Sequence, residues 1–401
     1  MRTVLFPKWI IDVDSNQVKE GYGVILSGNR IESVLPAAAV QSQPGDQVVR
    51  LNNQTLMPGL INHHVHSVLL GNKTPFVMSQ LDSEVTMTLR AAYNMKVSLQ
   101  SGVTMVRDCG GVGTVTTELR DTIKAGTAEG SRMFCSGWPI TITGGHVRYF
   151  GGEADGIEGL TRMVRKVVGV GADFVKVMGS GGGTPGSLSH YPAYTLEELK
   201  HIVQLSHDFG KLVAVHCIAT ASIEQAVDAG VDMIEHALFF APDQSMQFDE
   251  RVAEKLAKSK IPVTTTLCPF SDVLDTSAPG DPEYDRRSGM LQKQYEYFAK
   301  MKALGITLLA GSDAGWLASP FNGFWKELYE LTNCGLTPIE AIVAGTKLPA
   351  QTLRLDHDFG SVESGKIADL TIVNGNIAED ILLVKQVHSV YQDGKLVVKN
   401  F

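Results

Sequence analysis

The middle of this chain alternates between two kinds of segment, and that rhythm constrains its fold more than any other feature. Short apolar, β-branched runs end in Gly or a polar cluster, and longer amphipathic stretches separate them. Eight such runs occur: Leu56–His66, Gly102–Cys109, Arg132–Ile140, Phe174–Gly179, Leu212–His216, Met233–His236, Ile261–Leu267 and Ile306–Asp313. Between them lie helical patterns such as Ser83–Leu99 and Thr195–Phe209, the second opened by the capping box Thr195-x-x-Glu198. Eight βα units in succession predict an α/β fold, a closed parallel (β/α)8 TIM barrel over residues 58–357, ahead of a doubly wound open sheet.

The two ends break the rhythm. Residues 1–57 hold short strand-like segments (Gly23–Leu26, Arg30–Val34), and residues 358–401 hold Leu370–Val373 and a hairpin signal at Asp393-Gly394. Neither end could bury a core alone. Together they are expected to form one small β-sandwich domain beside the barrel. The stretch Ser271–Met290, rich in Pro, Asp, Ser and Gly, reads as a long loop after the seventh run and a lid.

Composition narrows the partners. Lys and Arg number 35 against 43 Asp and Glu, a net charge of −8 with no basic run, which excludes a nucleic-acid footprint. Hydrophobic content of 44% and charged content of 19% exclude disorder as the dominant state. No apolar stretch approaches the roughly eighteen residues of a membrane helix. Charges at Arg2, Lys8, Asp12 and Asp14 interrupt any signal-peptide core. The cysteines (Cys109, Cys135, Cys217, Cys268, Cys334) are odd in number and form no C-x-x-C pair. That argues against a disulfide scaffold and a thiolate zinc site, and the expected compartment is a reducing cytoplasm.

Several polar residues stand at the ends of the apolar runs. His64-x-His66 places two imidazoles on one face of a strand, where they could hold one metal ion; His63 points the other way. His216, His236 and Asp313 each end a run. A buried satisfied histidine and a helix N-cap aspartate are the plain alternatives. In a closed barrel, however, all these ends share the rim where active sites sit, and the eighth strand neighbours the first. Lys176 lies inside an apolar strand, in Asp173-Phe-Val-Lys-Val-Met-Gly, which is costly unless it is neutral or paired. It is either a snorkelling or ion-paired lysine, or one carbamylated by CO2, an anion able to bridge two divalent ions.

Taken together, His64, His66, Lys176, His216, His236 and Asp313 resemble the ligand set of the amidohydrolase superfamily, specifically its two-metal members with a carbamylated lysine. The resemblance covers nearly the whole chain. It includes Met-Pro-Gly-Leu-Ile at 57–61, the segment Thr337–Leu355, and Gly365-Lys-Ile-Ala-Asp-Leu, where such barrels return to their β domain. Val175-Lys-Val-Met-Gly-Ser-Gly-Gly and Thr143-Gly-Gly-His make the chain similar to imidazolonepropionase-related amidohydrolases and Xaa-Pro dipeptidases (prolidases). The resemblance implies two divalent ions, zinc first, held by these residues together with a CO2-derived carbamate on Lys176. It further implies Asp313 as proton shuttle and His146 as the contact to the substrate carbonyl or oxyanion. The expected activity is hydrolysis of a C–N bond of amide type, in a dipeptide or an N-acyl amino acid. Aryl amides, carbamates, ureas or cyclic amides are the alternative substrates. A homo-oligomer is common in this fold family.

The chain also departs from the pattern. Asn62 stands where relatives often carry Asp, and Cys217-Ile-Ala-Thr follows the fifth-strand ligand where several peptidase relatives carry a polar or His-containing sequence. Arg148, in the unusual segment Val-Arg-Tyr-Phe, is a candidate for a substrate carboxylate. Trp316 and Phe321, with segments Val68–Gln80 and Cys268–Met290, are expected to shape the pocket. Gly181-x-Gly183-x-x-Gly186 imitates a dinucleotide fingerprint, but Pro185 interrupts it and no helix begins before about Thr195. These glycines are expected instead to let the backbone approach the site. A one-metal deaminase is disfavoured by Lys176 and by Ala219, which occupies the position where such relatives carry Glu. A non-catalytic relative is disfavoured because all six ligands are kept.

Overall fold

The computed structural model describes residues 2–400. All eight apolar runs contain strands: Leu60–Val65, Val103–Asp108, Arg132–Cys135, Phe174–Met178, Leu212–Ala219, Met233–Phe240, Val263–Thr264 and Leu308–Leu309. We number them one to eight. The first three form one parallel sheet and the last five another. Both seams between the sheets are hydrogen-bonded. His63 N donates to Ala310 O (3.0 Å) and His66 N to Ala314 O (2.8 Å). At the other seam, Ile140 N donates to Lys176 O and Met178 N to Ile140 O, both at 2.8 Å. Strands one, two, four and five are buried along their whole length, which is why they read as unbroken apolar runs and not as alternating ones.

Helices cover these strands through one apolar face each. Gly156–Gly169 buries Leu160, Met163, Val164 and Val167, spaced three and four apart. Glu84–Gln100 starts at Ser83, whose side chain accepts from Thr86 N, and Leu196–Asp208 carries the expected capping box. No described helix is long and apolar enough to cross a membrane.

The chain ends meet in one mixed sheet of eight strands. Leu370–Asn374 pairs antiparallel with Gln47–Pro58, placing Ile372 opposite Leu56. Val387–Gln392 and Lys395–Lys399 extend it on one side, and Arg2–Asp12, Tyr22–Ser27 and Arg30–Pro36 on the other. Asp393 (φ 52°) and Gly394 (φ 71°) form the hairpin turn between the last two strands. The run Leu56–His66 is divided between the two parts of the molecule. Residues up to Pro58 pair in the mixed sheet, and those from Leu60 pair with strand two. Gly59 makes the crossing, where a Cβ would lie 2.2 Å from Thr104 Oγ1.

The stretch Ser271–Met290 is not a long loop. It contains the end of the helix Cys268–Leu274 and the start of Pro282–Ala303. Its turn-forming residues are helix starters. Asp281 accepts from Glu283 N, and Pro282 and Pro269 occupy first-turn positions where no N–H is needed. Only 275–281 remain as the connection.

Candidate metal centre

Parallel strands end on the same edge, so the polar residues that terminate the runs converge. His64, His66, Lys176, His216, His236 and Asp313 all line one cavity of about 460 Å³. The neighbouring ring centroids are 5.4 Å apart for His64 and His66, 5.1 Å for His64 and His236, and 4.6 Å for His216 and His236. Asp313 Oδ1 lies 3.5 Å from His64 Nε2 and 3.6 Å from His66 Nε2. His64, His66 and Asp313 thus offer three ligand atoms within 4.8 Å of one another. His63 points elsewhere, towards Thr264 Oγ1 (3.1 Å).

The hydrogen bonds decide which nitrogen each imidazole presents. His66 Nδ1 meets the carbonyl of Gly110 (3.0 Å) and His216 Nε2 that of Gly181 (3.1 Å). A carbonyl only accepts, so each of these nitrogens carries the proton. His64 Nδ1 donates likewise to the Glu235 carboxylate (2.7 Å). The Thr266 hydroxyl gives its proton to Thr265 O (2.7 Å), so it accepts from His236 Nδ1 (2.6 Å). Burial holds all four imidazoles well below the ordinary histidine range, His66 at about 4, so they are neutral. Each therefore keeps one bare nitrogen, the form that binds metal, and has an outer partner that fixes its orientation.

In His146 the partnered nitrogen accepts and does not donate. Thr184 N–H (3.4 Å) and Thr184 Oγ1 (2.9 Å) both reach its Nδ1, which therefore accepts, leaving Nε2–H as a donor. Its ring lies 4.7 Å from His216 and meets Trp316 edge-on at 5.8 Å. Of the three glycines expected to approach the site, Gly183 does, whereas Gly181 packs against the Leu188 backbone and Gly186 has open space around it; Gly182, which the sequence reading passed over, also approaches the cavity. A Cβ on Gly182 would sit 2.6 Å from His146 Nε2, and one on Gly183 would sit 3.0 Å from Trp316.

Two further polar atoms in the cavity lack partners among the described residues. Lys176 Nζ and Asp313 Oδ1 are buried with no hydrogen bond. Burial pushes the Asp313 carboxyl up to about 7, against the opposing pull of Lys176. His236 (φ 73°) and Asp313 (φ 51°) sit in left-handed backbone conformations, as do Val147 and Thr266 beside them. Strain of this kind persists where surrounding structure enforces it, commonly at functional sites.

Arg148 is absent from the cavity lining, and its guanidinium donates outward to Pro185 O (3.1 Å) and Gly144 O (3.5 Å). Phe321 is absent too, as are the described side chains of Val68–Gln80; those of residues 76, 78 and 79 lie outside the description. Trp316 does line the cavity, with Pro269, Phe270 and Met290 from the expected pocket segment Cys268–Met290.

Sequence reasoning singled out none of six residues that contribute to the site. Glu235 has no exposure, and it joins His64 to Arg107 Nη2 (2.6 Å), which is equally buried. Both are charges inside apolar runs, the same signal that marked Lys176. Thr184 and Thr266 orient His146 and His236, and nothing in the sequence separates them from other threonines. Arg286 and Arg287 reach the cavity mouth from the helix mistaken for a loop. Asn62 fills its departure from the family pattern with hydrogen bonds, donating to Ser312 Oγ (2.6 Å) and accepting from Ser312 N (3.0 Å).

Comparison with known proteins identifies the family. The amidohydrolase family profile matches residues 55–397. Ochratoxinase from Aspergillus niger is 26% identical over 378 residues, covering 85% of this chain and 75% of that one. Imidazolonepropionase from Streptococcus gordonii is 28% identical over 212 residues, covering 51% of this chain and 60% of that one. Among solved structures, a Xaa-Pro dipeptidase with methionine bound in its active site superposes with a TM-score of 0.88 at 28% identity, covering 99% of both chains. The chain belongs to the amidohydrolase family and is one of its metal-dependent hydrolases of amide-type bonds.

Proposed function

We propose a binuclear hydrolase that cleaves the amide-type C–N bond of a dipeptide or an N-acyl amino acid, in the manner of a prolidase. The observation that carries this reading is the set of four bare imidazole nitrogens, one carboxylate and one partnerless lysine in a single cavity. Names of relatives support the substrate class: a Xaa-Pro dipeptidase acts on dipeptides, and its structure holds an amino acid.

The residues fit two divalent ions. A buried ammonium without a partner is costly, and carbamylation by CO2 turns Lys176 Nζ into an anion that could bridge two cations. His64, His66 and Asp313 would hold one ion, His216 and His236 the other, and carbamylated Lys176 both. Imidazole and carboxylate donors suit zinc. When bound, the ions supply a water whose pKa is lowered from about 15.7 towards about 7 and polarise the substrate carbonyl. Asp313 accepts the proton of the attacking water and returns it to the departing amine, which leaves poorly unprotonated. His146 donates from Nε2 to the developing oxyanion, held in that tautomer by Thr184.

The same reading closes the two parallel sheets into one (β/α)8 TIM barrel over residues 58–357, supported by the hydrogen bonds across both seams. Residues 1–57 and 358–401 then form the second domain as a β-sandwich. One apolar cluster joining Leu5, Val24, Leu56, Ile372 and Tyr391 supports that part. A homo-oligomer is supported by Val85, Leu89 and Tyr93, exposed four residues apart on one helix.

Lys176→Ala in zinc-loaded protein is expected to lose most amine release from dipeptides and N-acyl amino acids. A short carboxylic acid should restore part of it by replacing the bridging anion. Metal analysis should find about two ions per chain. Undiminished activity in the variant would overturn the carbamate, and turnover only of neutral aryl amides, carbamates or ureas would overturn the substrate class.

A further inference from the structure

The metal-ligand cluster accounts for the floor of the cavity, and its mouth carries a second feature. Two arginines, Arg286 and Arg287, line it from the helix Pro282–Ala303. One acid serves both. Glu283, one turn earlier, takes Arg286 Nε (3.0 Å) and Nη2 (2.8 Å) and also Arg287 Nε (2.8 Å). Two guanidinium charges against one carboxylate leave one positive charge uncompensated. Asp313, among the histidines, is the only acid among the described residues lining the cavity.

The two arginines are not equivalent. Arg286 is half exposed at 53% and is chelated by Glu283 through two nitrogens, so its charge is matched and solvated. Arg287 is 13% exposed, and its guanidinium lies over the Phe270 ring at 5.3 Å. Only its Nε is hydrogen-bonded, so both terminal nitrogens remain without a partner among the described residues. A guanidinium cannot shed its charge to relieve burial. It is therefore a planar cation, held in place by one carboxylate and one ring, with its terminal N–H groups unclaimed at the cavity. That is the form in which Arg takes a carboxylate by two parallel hydrogen bonds.

We propose that Arg287 binds the free α-carboxylate of the substrate, so that the enzyme selects acyl amino acids and dipeptides with an unblocked C-terminus. The apolar side chains that line the same cavity, Ile218, Leu238, Phe240, Phe270 and Met290, suit an apolar residue next to that carboxylate. Arg148, the arginine first suggested by the sequence, faces Gly144 and Pro185 instead. This inference rests on the hydrolase reading for its substrate class, and its test does not depend on turnover.

Calorimetric titration of the zinc-loaded protein with L-phenylalanine and with L-phenylalaninamide compares two ligands that differ at the carboxylate. The free acid should bind about tenfold or more tighter than the amide. Arg287→Met should remove that preference by weakening the acid alone, and Arg287→Lys should restore part of it as a point charge without the fork. The preference surviving in a folded Arg287→Met variant, or absent from the wild type, would overturn the proposal. Hydrolysis separates this result from the broader reading. If no amide or dipeptide is turned over while the binding preference holds, the hydrolase assignment fails and the carboxylate site stands. If N-acetyl-L-phenylalanine and its C-terminal amide are hydrolysed equally well, the hydrolase assignment stands and the carboxylate site fails.

Discussion

Glu235 and Arg107 are two full charges with no exposure, placed directly beneath His64. Burial alone would raise the Glu235 carboxyl, but Arg107 and the His64 N–H hold it well below the ordinary range. It therefore stays an acceptor for the His64 N–H. Glu235→Gln is expected to fold and to bind zinc about 10–100-fold more weakly, because the imidazole loses its anchoring carboxylate. Glu235→Ala should cost about 3–5 kcal/mol by leaving Arg107 buried and unpaired. Zinc titration and urea unfolding measure the two effects, and unchanged zinc affinity in the Gln variant would show that Glu235 serves Arg107 alone. Lys176 was legible because a charge in an apolar strand demands a reason. Glu235 and Arg107 send the same signal, but their meeting joins residues 128 positions apart in the chain, which no local pattern reveals.

At the scale of elements, the helix Phe324–Asn333 holds the helix Cys268–Leu274 in place, and with it Pro269 and Phe270 of the cavity wall. Glu327 accepts from Thr265 Oγ1 (2.6 Å), Leu267 N (2.8 Å) and Cys268 N (2.9 Å), and Lys326 donates to Asp272 (3.0 Å) and Asp275 (2.7 Å). Glu327→Ala leaves two buried N–H groups unsatisfied and should cost about 2–4 kcal/mol by urea unfolding. Burial pushes the Glu327 carboxyl up to about 7 from 4.5, despite those donors. Over that interval the folded protein keeps a proton that the unfolded chain has released, so this group makes stability fall as pH rises from about 4.5 to about 7. Glu327→Gln should flatten that slope, and an unchanged slope would assign it to other groups. Strands and capped helices were legible from local chemistry. The helix starts at Pro269 and Pro282 were not, because Pro, Asp and Ser open helices as readily as they form loops.

Across the whole molecule, Arg132 on strand three joins the parallel strands to the mixed sheet. Its guanidinium meets Asp369 Oδ2 (3.0 Å) and Asp393 Oδ2 (2.5 Å), and it lies 5.4 Å from the centre of the Phe359 ring. Thr371 Oγ1 adds a bond to Gly102 O (2.6 Å). Arg132→Met should lower stability by about 2–3 kcal/mol, because the Asp369 side chain is only 4% exposed and loses its cation. A single transition shifted to lower urea is expected, and two separate transitions would show that the parts unfold independently. By itself, the sequence determined the eight strands, the covering helices and the residue types at the strand ends, because periodicity, caps and the cost of buried charge are local. Only the tertiary structure decided that Glu235 anchors His64, that Thr184 and Thr266 set opposite histidine tautomers, and that Arg287 rather than Arg148 reaches the cavity. Those outcomes depend on distances between segments far apart in the chain, which spacing along the chain does not encode.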